Sequence, residues 1–160
     1  MGHSSIQTTP MTTDRTPQQR QSDTLSLLAT HGRGWLATAS ADGRPHLIAV
    51  SACWTGRALL IATRGDSPTA RNLEATRAAR IALGDPQDAV LVEARLAERR
   101  ASGPGSGDLG QAFSEAMGWD PADEPGAWDY FLLEPVRIQA YRGYGEVPGS
   151  TIMREGRWLA

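Results

Sequence analysis

The sequence predicts a mainly β fold, an antiparallel sheet accompanied by short helices, and three observations carry that reading. Short apolar runs rich in strand-forming residues recur at 35–40, 45–54, 57–63, 79–85, 88–100, 128–134 and 136–142. The turns joining the first three are only a few residues long, too short for the crossovers that parallel strands need. Helical periodicity is confined to brief stretches beside Ser, Asp and Pro.

Residues 1–21 are polar, without an apolar signal-peptide core, and read as a disordered N-terminal arm. Ser22 or Asp23 then caps a helix carrying Leu25, Leu27 and Leu28, which ends near the glycines at 32–34 and plugs one end of the sheet. The strand at 35–40 turns through Ala41-Asp42-Gly43-Arg44, a hairpin signal, into the strand at 45–54. Thr55-Gly56 turns the chain again into 57–63, so the three strands read as a meander. Ser67 as N-cap and Pro68 at the first helical position predict a helix of about ten residues. Two strands follow at 79–85 and 88–100, the second alternating Val90, Val92, Ala94 and Leu96 with Leu91, Glu93 and Arg95.

A flexible insertion, which could serve as a lid, is expected over 101–126, beginning with a Gly- and Ser-rich connector at 101–110 and containing a capped helix over 108–117. The connector is not a nucleotide loop, because Asp108 and Leu109 stand where Lys and Ser or Thr would be required. Pro135 is read as the break between the last two long strands, and the apolar Ile152, Met153 and Trp158 imply that the C-terminal tail docks on a surface.

Length and composition fit one domain, residues 22–160, with 40% hydrophobic and 21% charged residues. All basic side chains are Arg, and the formal net charge of -2 excludes the electrostatic footprint of a non-specific nucleic-acid binder. Cys53, the single cysteine, reads as a buried structural thiol. With no apolar run of about 18 residues to span a membrane, a cytoplasmic bacterial protein is expected.

His46 follows the hairpin turn and reads as a sheet-face residue, since no second His or Cys stands at metal-ligand spacing. Ser67 lacks the flanking glycines of a nucleophile elbow. The segment Arg64-Gly65-Asp66-Ser67-Pro68-Thr69-Ala70-Arg71-Asn72 is different in kind, because two guanidiniums, two hydroxyls and a helix N-terminus can converge on one anion, phosphate above all. The alternative is a solvated helix start with Arg71 paired to Glu74 or Asp66.

Trp35-Leu36-Ala37-Thr38, Asp42-Gly43-Arg44-Pro45-His46, Arg71-Asn72-Leu73, the run 135–142 (PVRIQAYR) and the tail 153–158 (MREGRW) occur in the order and spacing of the pyridoxamine 5′-phosphate oxidase-like, FMN-binding split-barrel family, which this chain resembles. The resemblance implies a six- or seven-stranded antiparallel split barrel forming a homodimer, with the cofactor between subunits. It places the flavin ring against Val50, Ser51, Ala52, Ala62 and Thr63, and the phosphate at Arg64, Ser67, Thr69 and Arg71, with Asn72 also in the cofactor site. The partner chain would supply Gln139, Tyr141, Arg142 and Trp158.

By the same resemblance the cofactor is FMN and the activity an oxidoreduction of a small organic substrate, with specialised metabolism as its setting. Trp54, Phe113, Trp119, Trp128 and Tyr130 could line the substrate side, although core packing is the plainer role for Tyr130. Thr69 stands where the family often carries Lys. That departure leaves open the deazaflavin coenzyme F-420 and a reductase using it, a non-catalytic flavin- or haem-binding module, or a barrel that has lost redox function.

Overall fold

The computed structural model describes residues 13–30 and 32–160, so the arm at 1–12 and His31 lie outside the described residues. Helix α1 (Pro17–Ala29) is followed by strands β1 (Arg33–Ala39), β2 (Pro45–Ser51), β3 (Cys53–Trp54) and β4 (Leu59–Arg64), then helix α2 (Pro68–Thr76). The remainder comprises β5 (Ala78–Asp85), β6 (Asp88–Ala101), α3 (Gly107–Met117), β7 (Trp128–Tyr141), β8 (Thr151–Arg154) and β9 (Arg157–Trp158). Every strand pair is antiparallel. The mainly β class and the split-barrel architecture both hold.

The strands run in the order β2-β1-β5-β6-β7-β4-β3, with β8 attached to the far half of β7 and β9 paired to β8. The outermost strands of that path, β2 and β3, are consecutive in the chain and joined only by Ala52, whose N–H donates to Gly32 O at 3.1 Å. The sheet therefore curls until its two edges meet. This corrects the meander: the run at 45–54 breaks at Ala52, β2 pairs with β1, and β4 pairs with β3 and β7 instead of β2. The hairpin turn at Asp42-Gly43 is as expected, with Gly43 at φ +84° and Gly43 N–H bonded to Ser40 O.

Inside the curl lie Leu36, Leu59, Ile61, Ile81, Val92, Phe131, Leu133 and Ile138, with Leu28 of α1 and Ala70 and Leu73 of α2 packed on them. A second core lies on the other face of β4, where Cys53, Leu60, Tyr130 and Leu132 meet Leu109 and Phe113 of α3. Apolar layers on both faces explain why β4 reads as an unbroken apolar run. Burial also pushes up the Cys53 thiol, in keeping with a structural role.

Three further expectations are corrected. The first helix starts at Pro17, not at Ser22 or Asp23, because Thr16 and Gln19 form a reciprocal capping box with Pro17 at the first helical position, so the expected arm is ordered from residue 13 onward. Helix α3 starts at Gly107, inside the expected 101–110 connector. Pro135 does not divide two strands: β7 is continuous, and the register steps from Glu93–Arg137 to Ala94–Pro135, making Val136 the extra residue of a bulge. Proline's missing N–H is tolerated at such an irregularity. The tail docks as expected, on its own chain, with Ile152 and Met153 buried beside β7. Among the described residues no helix is long and apolar enough to cross a membrane.

Candidate functional site

β4 ends at Thr63 and Arg64 and turns through Gly65-Asp66 into α2. Ser67 caps that helix, its Oγ accepting from Ala70 N–H at 3.1 Å and from Thr63 Oγ1 at 3.3 Å. Ser67 O takes the Arg71 N–H, Pro68 has none, and the Thr69 N–H remains the first-turn amide with no bond among the described residues. Asp66 gathers both guanidiniums: Arg64 Nε lies 3.2 Å from its carboxylate and Arg71 Nη1 donates to its carbonyl at 2.6 Å. The Arg64 bond holds the Asp66 carboxyl below the usual carboxylate range. Two guanidiniums thus converge on one residue at the start of α2.

Gly65 is clamped from beneath. Its N–H donates to Ala127 O at 3.0 Å and its O accepts from Arg99 Nη2 at 3.0 Å. A Cβ there would sit 3.0 Å from Asp129 Oδ2, so only glycine fits without displacement. Arg99 also bonds Asp129 at 2.7 Å and Glu74 at 3.1 Å, with its guanidinium 5.3 Å from the Phe131 ring centre. Glu74 is thus taken by Arg99 and is unavailable as the partner expected for Arg71. Nothing local in the sequence marks Arg99, because its contacts reach 25 to 34 residues away.

The other residues singled out in this segment face inward. Thr69 is 1% exposed, and Asn72, also buried, donates from Nδ2 to Thr38 Oγ1 at 3.1 Å, tying α2 to β1. Arg71 and Asn72 line one wall of a groove of about 590 Å³, with Pro68 and Ala75 beside them and Arg44, Pro45 and His46 opposite. Val50 packs on the main core, Ala52 is buried where β2 passes into β3, and Ser51 ends β2 opposite Arg33. Ala62 packs in the second core, on the opposite face of β4 from Thr63.

Gln139, Tyr141 and Arg142 sit at the other end of β7 from Trp128, the residue paired with Arg64. Gln139 lies eleven positions along β7 from Trp128, roughly 35 Å of chain. Gln139 donates to Ser150 Oγ at 3.0 Å, and Trp158 packs half-buried on the core. Tyr141 and Arg142 border a cavity of about 880 Å³, where Arg142 pairs with Asp88 at 2.8 Å. Within one chain, the two groups of singled-out residues do not meet.

On the outer face, register pairs Leu47 with Ala37 and Ala37 with Arg80 in one row, and Ala49, Trp35, Ala82, Leu91 and Gln139 in the next. Trp35 and Leu47 are 56% and 61% exposed there. Of the aromatic residues expected on the substrate side, Tyr130, Phe113, Trp119 and Trp128 stack in sequence at 5.2 to 5.6 Å between ring centres. Phe113 and Tyr130 belong to the second core, and Trp119 packs against it.

A family-level match to pyridoxamine 5′-phosphate oxidase covers residues 23–138. No curated protein matches the chain at a significant level. Among solved structures, an F420 reductase superposes with a TM-score of 0.59 at 20% identity, covering 71% of this chain and 93% of its own. A pyridoxamine 5′-phosphate oxidase-related, FMN-binding protein from Nostoc punctiforme gives 0.52 at 18% identity over 79% and 80% of the two chains. A haem-binding protein from Mycobacterium smegmatis gives 0.59 at 22% identity, covering 81% of this chain and 55% of that longer one.

Proposed function

Because this chain belongs to the pyridoxamine 5′-phosphate oxidase-like family of flavin-binding split-barrel proteins, we propose that it holds a phosphate-bearing flavin-type cofactor at the β4–α2 junction and works as an oxidoreductase on a small organic substrate. The observation that carries this reading is the convergence of the Arg64 and Arg71 guanidiniums at the first turn of α2, with Arg71 also lining the groove beside Asn72. That donor set fits a phosphate. Arg71 would supply the charge, while buried Thr69 contributes no cation. FMN is the first choice and the deazaflavin F-420 the second. The cofactor when bound supplies hydride chemistry; the protein orients it and shelters it from water.

A homodimer accompanies this reading. The separation of Gln139, Tyr141 and Arg142 from Arg64 within one chain means that they join a single site only across two copies. The exposed Trp35 and Leu47 rows offer an apolar face for that association. Leu47→Asp, which puts a charge at the centre of the face, is expected to shift the protein from dimer to monomer in sedimentation velocity. A wild-type monomer, or an unaffected variant dimer, removes this surface from the proposal.

The visible spectrum of the purified protein tests the cofactor, since flavin, deazaflavin and haem have distinct bands. A colourless protein that also fails to bind added FMN and F-420 overturns the reading. Arg71→Ala is expected to weaken cofactor binding by about 1.5 to 3 kcal/mol, the loss of a charge-assisted hydrogen bond, as read by fluorescence titration. Unchanged affinity would move the phosphate elsewhere. A second reading, a haem-binding module, is favoured by His46, a half-buried imidazole on the groove wall that would supply a ligand nitrogen to haem iron. A Soret band lost in His46→Ala supports it, and a flavin spectrum rejects it.

A further inference from the structure

The β4–α2 corner is held by a side chain that belongs to neither element. Arg99, near the end of β6, sends its three nitrogens to three places: Nη2 to Gly65 O in the turn, Nε to Asp129 on β7 and Nη1 to Glu74 on α2. Register explains the reach. Arg99 stands opposite Phe131, and Asp129 opposite Thr63, so the four lie on the face of the sheet that carries the main core. Thr63 Oγ1 in turn meets the Ser67 cap of α2. A planar guanidinium suits such a three-way fork, where an ammonium would meet the same partners only as a point charge.

The fork also arranges the charges of the corner. The Asp129 side chain is only 15% exposed, and Arg99 is its ion-pair partner. Glu74 lies three residues after Arg71 on α2, a spacing at which the two side chains would pair. Because Arg99 holds Glu74, the Arg71 hydrogen bond goes instead to the neutral Asp66 carbonyl. Without Arg99, a mostly buried carboxylate would stand unpaired opposite Thr63, and Glu74 would be released to capture Arg71. Both changes disfavour an anion at the start of α2.

We propose that Arg99 is a positioning residue for the cofactor phosphate: by engaging Gly65, Asp129 and Glu74 together, it sets the turn before α2 and keeps Arg71 from pairing with a carboxylate. The proposal rests on the flavin-type reading of this corner and adds to it a residue that acts through Arg71 and Gly65. The test compares FMN with riboflavin, which has the same ring and no phosphate, by fluorescence titration of the full chain.

The wild-type protein is expected to bind FMN more tightly than riboflavin. Arg99→Gln is expected to weaken FMN about ten-fold and to leave riboflavin unchanged. Adding Glu74→Gln to that variant removes the carboxylate released onto Arg71 and is expected to recover part of the loss, a rescue that a merely structural support would not give. If Arg99→Gln fails to fold, Gly65→Ala reads the same contact, since its Cβ would lie 3.0 Å from Asp129 Oδ2 and 3.3 Å from Arg99 Nη2. An equal loss of both ligands, an unchanged preference for FMN in the variant, or no recovery in the double variant would each overturn the role of Arg99 alone. A wild-type protein that does not favour FMN over riboflavin would overturn the phosphate reading itself, and this proposal with it.

Discussion

Glu146→Ala is expected to lower the unfolding free energy by about 3 to 5 kcal/mol, the cost of breaking a buried ion pair from one side. Glu146 is 2% exposed, yet it is ionised and fully engaged. Its carboxylate accepts from Arg15 N–H at 2.7 Å, from Arg15 Nε and Nη2 at 3.1 and 2.8 Å, and from Arg142 N–H at 2.7 Å. Arg15 also reaches Asp23 and Asp88, so this one carboxylate ties the segment before α1 to the loop after β7. Its removal leaves the half-buried Arg15 guanidinium with only the exposed Asp23 and Asp88, and two N–H groups without an acceptor.

The same contacts give the wild-type protein an acid limb. Bonded to Arg15, the Glu146 carboxyl is held at about 2, against an ordinary 4.5. A lowered folded value means that the stability it contributes is present above the ordinary value and lost as pH falls from 4.5 toward 2. That difference corresponds to about 3 kcal/mol at neutral pH. Urea denaturation at pH 7 and at a series of acid pH values checks both points. A wild-type protein equally stable at pH 3 and pH 7, or a variant destabilised by less than about 1 kcal/mol, would show that the cluster is a solvated surface network.

What the sequence disclosed and what it concealed follow a physical division. The Asp42-Gly43 turn, the Ser67-Pro68 helix start and the alternation along β6 depend on residues within a few positions of one another, and each is found where the sequence puts it. The Thr16–Gln19 capping box is equally local, and its signature lies in the sequence six residues ahead of the Ser22 that also fits a cap. The pairing of β4 with β7 links residues about 70 positions apart, and nothing near Leu59 or Leu133 identifies the other. Without that pairing, the break at Ala52 looks like a continuous strand.

The candidate site divides the same way. Arg71 and Ser67 were legible because a helix start and a cation are local features. The burial of Thr69, the clamp on Gly65 by Arg99 and the embrace of Glu146 by Arg15 are set by which distant elements happen to face them. An Arg71–Glu74 pair fits helical spacing, but Arg99 reaches Glu74 from β6 and Arg71 turns to the Asp66 carbonyl.

Phe113→Ala is expected to cost about 3 to 5 kcal/mol, the range for emptying a buried aromatic site. This prediction decides what the 101–126 insertion does. As a flexible lid, the insertion would contribute little to global stability, and the substitution would cost less than about 1 kcal/mol. Instead Phe113 is 1% exposed, edge-on to Trp119 at 5.2 Å and tilted against Tyr130 at 5.6 Å, with Leu60, Leu132 and Cys53 completing the cluster. Helix α3 is therefore a wall of the second core, pressed on the face of β4 opposite Thr63. The same insertion ends at Gly126, where an added Cβ would lie 2.9 Å from the Arg64 guanidinium, so its far end packs on one of the two cations proposed for the phosphate. Emptying the Phe113 site should consequently weaken phosphate-cofactor binding through β4 and Arg64, in addition to lowering the denaturation midpoint. Chemical denaturation and cofactor titration on the same variant separate the outcomes: a small stability loss restores the lid, and a large loss with unchanged affinity detaches the wall from the site.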